Sequence, residues 1–86
     1  MTNDEARAEW ARLLRGVAAG DVSPAEALAK RPVIARENDV PKAYWSAVML
    51  LELEVEHGLD IPEAKSYFAS EVLKLADRIE GVSRIP

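Results

Sequence analysis

The segment from Met49 to Ala64, MLLELEVEHGLDIPEA, contains a carboxylate and an imidazole at a spacing that is found in metal sites. Glu54 and His57 stand three positions apart, so on a helix both side chains fall on one face. Carboxylate-bridged di-iron bundles use this Glu-x-x-His spacing, but they need it twice, plus a further Glu from each of two other helices. The chain has one histidine, so only a symmetric dimer could complete such a set.

His57 also has a simpler interpretation, because it directly precedes Gly58 at the predicted end of a helix. A partly cationic imidazole is favourable at that negative end of the helix dipole. We therefore predict no metal site and no cofactor. Glu54 and His57 are the candidate ligands of the alternative, a metal-binding helical dimer.

The serines and the paired acids form no recognisable catalytic arrangement. Ser23 is predicted to cap a helix. Three further serines fall within predicted helices: Ser46, Ser66 and Ser70. No order of residues suggests a Ser-His-Asp triad, and the glycines do not form a phosphate-binding loop. Glu52 and Glu56 could serve as acid and base, but an acidic pair on a solvated helix face is far more common. We therefore expect that the chain is not an enzyme.

Capping residues, prolines and glycines mark where four helices begin and end. Three capping boxes pair a cap side chain with a Glu three positions later: Thr2 with Glu5, Ser23 with Glu26, and Asp60 with Glu63. Prolines stand in the predicted first turns, at Pro24, Pro41 and Pro62. Glycines follow the apolar-periodic runs, at Gly20, Gly58 and Gly81. These signals predict helices over residues 3–19, 24–30, 40–57 and 61–80.

The spacing of apolar residues agrees with these boundaries. One face of the first helix carries Ala6, Trp10, Leu13, Leu14, Val17 and Ala18, and one face of the fourth carries Ala64, Phe68, Val72, Leu75 and Ile79. The third helix carries two stripes, Val40-Tyr44-Val48-Leu51-Val55 and Trp45-Met49-Leu53, so we expect it to be central. The strand-like alternation at Leu51–Glu56 is then a coincidence of these stripes.

The predicted fold is a single all-α domain over residues 1–86, a small compact bundle of three long helices and one short helix. The segment from 31 to 39, RPVIAREND, is the connection before the third helix. Within it we expect Pro32 to end the second helix, Val33 and Ile34 to anchor the loop, and Asn38 or Asp39 to cap the third helix.

Composition narrows the classes of function further. The chain has no cysteine, and its N-terminus carries acids where an export signal would carry bases, so we expect a soluble, cytoplasmic protein with no membrane association. The formal net charge is −4, and residues 43–64 hold five acids and no Lys or Arg, which disfavours nucleic-acid binding. A small DNA-binding regulator stays open as an alternative, because the predicted turn between the second and third helices carries Lys30, Arg31, Arg36 and Lys42.

The remaining interpretation is a surface for another protein. Trp45, Met49 and Leu53 form an apolar stripe, with Glu52 and Glu56 at its rim. The stripe is either enclosed by the other helices or exposed for a partner. We expect a non-enzymatic adaptor, accessory subunit or small inhibitor of antitoxin or immunity type. Its partner could have a basic surface, and self-association is also possible because so small a core is marginal.

Overall fold

Four helices follow one another along the residues that the computed structural model describes, which are 3–32, 42–58 and 62–81. Helix α1 spans Asn3–Ala19, α2 spans Pro24–Ala29, α3 spans Lys42–His57 and α4 spans Pro62–Glu80. Within these ranges no β-strand occurs, and Leu51–Glu56 lies inside α3. The predicted all-α bundle of three long helices and one short helix is confirmed.

The helix ends that can be compared follow the sequence signals. The Ser23 hydroxyl oxygen accepts a hydrogen bond from the Glu26 amide at 3.1 Å, and Pro24 is the first residue of α2. Lys30 is the C-cap of α2, one residue before the predicted connection begins. The glycines that follow α1, α3 and α4 all have the positive φ expected of a left-handed helix end: Gly20, Gly58 and Gly81.

Several sequence predictions concern residues outside the described ranges. They are the caps at Thr2, Asp60 and either Asn38 or Asp39, the loop anchors Val33 and Ile34, Val40 in the first stripe of the third helix, and Pro41 in its first turn.

Helices α1 and α4 form the most extensive pair in the bundle. The predicted faces supply its buried residues, which are Ala6, Trp10, Leu13, Leu14 and Val17 from α1 and Val72 and Ile79 from α4, together with Ala11 and Ala76. Outside this core, the Arg15 guanidinium reaches Asp77 of α4 at 3.2 Å and also pairs with Glu80. The radius of gyration is 12.6 Å, close to the roughly 12 Å of a compact domain of this length.

Helix α3 joins this pair through one face only. Trp10 of α1 and Tyr44 of α3 are both buried, with ring centroids 5.8 Å apart, and the Trp10 indole N–H donates to the Tyr44 carbonyl at 3.3 Å. Ala47, Val48 and Leu51 complete the buried face of α3. The prediction of a central α3 is therefore wrong, since much of this helix stays exposed, including half of Val55 in the first stripe.

Gly58 allows a test of how α3 ends. Its φ is 71°, its N–H donates to the Glu54 carbonyl at 2.8 Å, and a Cβ built there meets no heavy atom within 4 Å. We expect Gly58→Val to lower the free energy of unfolding by about 1–2 kcal/mol, because an L-residue is strained in the left-handed region. Gly58→Asn should cost less, since Asn tolerates that region. Urea denaturation measures both, and a Gly58→Val variant as stable as the parent would contradict the assignment.

We expect the bundle to lose stability at alkaline pH because of Tyr44. Burial raises the pKa of its hydroxyl above the ordinary value, with the Arg31 charge opposing the change. The folded chain therefore holds this proton more tightly than the unfolded chain. The protonated hydroxyl contributes to the free energy of unfolding below about pH 10, and this contribution is lost as pH rises through the raised pKa. The hydroxyl also donates to the Pro32 carbonyl at 2.9 Å.

We expect Tyr44→Phe to lower the free energy of unfolding by about 1 kcal/mol near neutral pH, because this hydrogen bond is lost. Above pH ~10 the variant should lose stability less steeply than the parent. Denaturation at a series of pH values measures the slope. Tyr67→Phe is the matched control for the loss of a hydroxyl near neutral pH, since Tyr67 is exposed and its change should cost little stability.

Candidate protein-binding site

One face of α3 presents a row of large apolar side chains to solvent. We call Trp45, Met49 and Leu53 the α3 stripe, and their exposed fractions are 37%, 65% and 52%. The buried face of the helix, centred on Tyr44 and Leu51, points away from them. The interpretation in which the other helices enclose the stripe is therefore wrong, and the stripe belongs to the surface.

Trp45 is held in place from two sides. Its ring packs edge-on against the Tyr44 ring, with centroids 5.3 Å apart, and the Arg31 guanidinium lies 5.9 Å from the centroid of the Trp45 ring. The second contact has the geometry of a cation–π interaction. Both contacts restrict the rotamers of Trp45, so any interface formed there would cost this side chain less conformational freedom than an unsupported one.

Two acids lie beside the stripe, at the positions where the sequence predicts its rim. Glu52 and Glu56 are exposed on the same face of α3 as Trp45 and Met49. The Glu56 carboxylate lies 3.8 Å from Nε2 of His57, which is itself exposed. Along the described part of α3 after Lys42 there is no Lys or Arg to offset these acids.

The arginines of α1 are already engaged with acids elsewhere on the surface. Arg7 pairs with Asp4, Arg12 pairs with Glu9, and Arg15 pairs with two acids of α4. The hydrogen bond from Arg12 lowers the pKa of the Glu9 carboxyl. The charges of the α1 arginines are therefore balanced by neighbouring acids. Beside the α3 stripe, in contrast, the described part of α3 after Lys42 carries acids and no Lys or Arg.

The bases of the alternative DNA-binding interpretation are not gathered on one helix face. Arg31 lies over the Trp45 ring, Lys30 is 3.6 Å from Glu26 within α2, and Lys42 begins α3. Arg36 lies outside the described residues. The geometry of the described bases therefore gives no support to a recognition helix.

A pocket of about 340 Å³ opens between α3 and α4. Its walls come from the second half of α3 and the first turns of α4: Leu50, Leu53, Glu54, His57, Gly58, Ala64, Tyr67 and Phe68. Leu53 belongs to both the pocket and the α3 stripe, so the two form one continuous surface. The sequence does not indicate this pocket, because Leu50 and Tyr67 come together only through the packing of α4 against α3.

Glu54 and His57 lie on the same wall of this pocket, as their spacing predicts. One carboxylate oxygen of Glu54, Oε2, is buried and has no hydrogen-bond partner among the residues that the structure describes. Those residues include no group of three His, Cys, Asp or Glu side chains that could hold a metal ion. The described wall therefore offers two candidate ligands, fewer than a closed metal site requires.

Comparisons with known proteins give no direct guide to function, since no protein-family model, curated protein or solved structure matches the chain. None of the helices in the described ranges is long and apolar enough to cross a membrane.

We expect metals to bind weakly, because Glu54 and His57 alone leave most of a coordination shell to water. Calorimetric titration with Fe(II), Zn(II) and Mn(II) should show no binding tighter than about 10 μM, and EDTA should leave the melting temperature unchanged. A stoichiometric metal that is retained by the parent and lost from Glu54→Gln or His57→Gln would contradict this prediction.

Proposed function

We propose that the chain is a non-enzymatic protein that binds another protein through the α3 stripe and its acidic rim. It would act as an adaptor, an accessory subunit or a small inhibitor of the antitoxin or immunity type. The observation that carries this proposal is the exposure of Trp45, Met49 and Leu53 on one face of a single helix.

Single exposed apolar side chains are ordinary on protein surfaces, but this row is contiguous and borders a pocket. Leaving such area in water forgoes about 25 cal/mol for each Å² that a partner could cover. Tyr67, 68% exposed, extends the same surface onto α4. Large apolar and aromatic side chains at the centre with acids at the edge are typical of protein interfaces.

The lining of the pocket supports binding in preference to catalysis. Among the described residues that line it, the ionisable side chains are Glu54, His57 and Tyr67, and the others are apolar or glycine. Enzymes need a nucleophile or base together with groups that orient it and stabilise developing charge. His57 is exposed, and the Glu56 carboxylate that lies 3.8 Å from its Nε2 is on the rim, outside the described lining of the pocket.

The stripe can be tested against a matched exposed residue. Met49→Asp places a charge in the middle of the stripe, whereas Leu73→Asp places the same charge at an exposed leucine of α4 that does not line the pocket. We expect Met49→Asp to weaken partner binding at least about tenfold. Trp45→Ala should reduce the binding free energy by about 2 kcal/mol, as is typical when a central aromatic anchor is removed. Leu73→Asp should leave binding unchanged.

The measurement is titration calorimetry with partners found among the products of neighbouring genes, and light scattering after size exclusion tests self-association. Glu56→Ala should change mainly the salt dependence of binding, because it is a rim charge. Equal binding by the parent, Met49→Asp and Leu73→Asp would rule out the stripe as the interface.

A further inference from the structure

The pocket between α3 and α4 has the lining of a site for one apolar side chain. Leu50, Leu53 and Phe68 supply apolar walls, and Ala64 leaves room where a larger residue would fill the space. Its volume of about 340 Å³ is at the lower end of the range for small-molecule sites. Pockets of this kind, next to an exposed apolar row, receive the anchor residues that dominate binding energy at interfaces.

Glu54 adds a polar requirement to this apolar pocket. Its buried Oε2 has no donor among the described residues, and a buried acceptor without a donor is unfavourable. A Lys or Arg that enters with the apolar group would supply the missing hydrogen bond and also the opposite charge. The pocket therefore fits an apolar group accompanied by a cation.

The surrounding charge favours the same kind of partner and opposes a second copy of this chain. From Ala43 to Ala64 the sequence has five acids and no Lys or Arg. In a two-fold contact through α3 whose axis passes beside Glu52 and Glu56, these acids of one copy would face the same acids of the other. Such like-charge contacts are strongly unfavourable, whereas a basic partner would be attracted.

The shape of the surface matches a helix. From Trp45 to Leu53 the α3 stripe covers about two turns, or about 12 Å. Helices that bind in grooves place their anchors at positions i, i+3 or i+4, and i+7, which is the spacing needed to cover the stripe and also reach the pocket.

We propose that the pocket receives an apolar anchor from a basic amphipathic helix of a partner protein, and that a Lys or Arg of that helix pairs with Glu54. This inference rests on the proposed function.

A peptide library provides the test. Yeast would display amphipathic helices of about 18 residues, or five turns, with Leu, Phe, Met or Trp at the apolar positions and Lys, Glu or Ala at the flanking positions. After selection on the parent chain, Lys should exceed Glu at the flanks at least about threefold. The dissociation constant of a selected peptide would then be measured for the parent and for each variant.

Two variants probe the pocket, each with its fold checked by circular dichroism. Ala64→Leu fills the pocket and should weaken binding at least about tenfold. Glu54→Gln removes the charge and should weaken binding about fivefold or more. Glu9→Gln, which removes an equal charge from α1 outside the pocket lining, should bind within about twofold of the parent.

The outcomes separate this inference from the proposed function. If Met49→Asp abolishes peptide binding while Ala64→Leu and Glu54→Gln bind like the parent, the stripe is the interface and the pocket proposal is overturned. If all three variants bind like the parent, both proposals fail. The pocket proposal is also overturned if selection yields no binder, if it favours Glu at the flanks, or if the parent is a dimer that Ala64→Leu converts to a monomer.

Discussion

The contact between Trp10 and Tyr44 sets the rotation of α3 about its own axis, and the surface of the molecule depends on that rotation. Trp10 is fully buried, packs on the Tyr44 ring and donates its indole N–H to the carbonyl of the same residue. Tyr44 in turn donates its hydroxyl to the Pro32 carbonyl, beyond the end of α2. Tyr44 thus links α3 to α1 and to the connection between α2 and α3, and this link decides which face of α3 is buried.

Adjacent residues on a helix lie about 100° apart, so Tyr44 and Trp45 cannot both point into the core. With Tyr44 inside, Trp45 lies at the edge and Met49 and Leu53 point outward. The sequence shows two apolar stripes on α3 but does not indicate which is buried, because that depends on the partner in α1. For the same reason the expected central position of α3 is wrong. The additional apolar residues that predict a central helix are those of the α3 stripe, and they lie on the surface.

Helix boundaries were predictable because each depends on local chemistry that a sequence displays directly. Ser23 and Pro24 start α2, and Gly58 ends α3, without help from distant residues. The buried alanines Ala11 and Ala76 were missed, since a small side chain gives little hydrophobic signal. Glu54 and His57 lie on one wall of the pocket, as their spacing predicts, but the pocket itself is not predictable from the sequence, because it depends on how α4 packs against α3.

The acids around the α3 stripe affect how this exposed apolar row would associate with other molecules. Such a row tends to pair with its own copy in another molecule, and in the proposed function Glu52 and Glu56 would oppose that pairing without covering Met49 or Leu53. The arginines of α1 are engaged in ion pairs at a distance, so they do not neutralise this rim. In the proposed function, the apolar centre would provide the binding energy, and the acidic rim would favour a basic partner over a second copy of the chain.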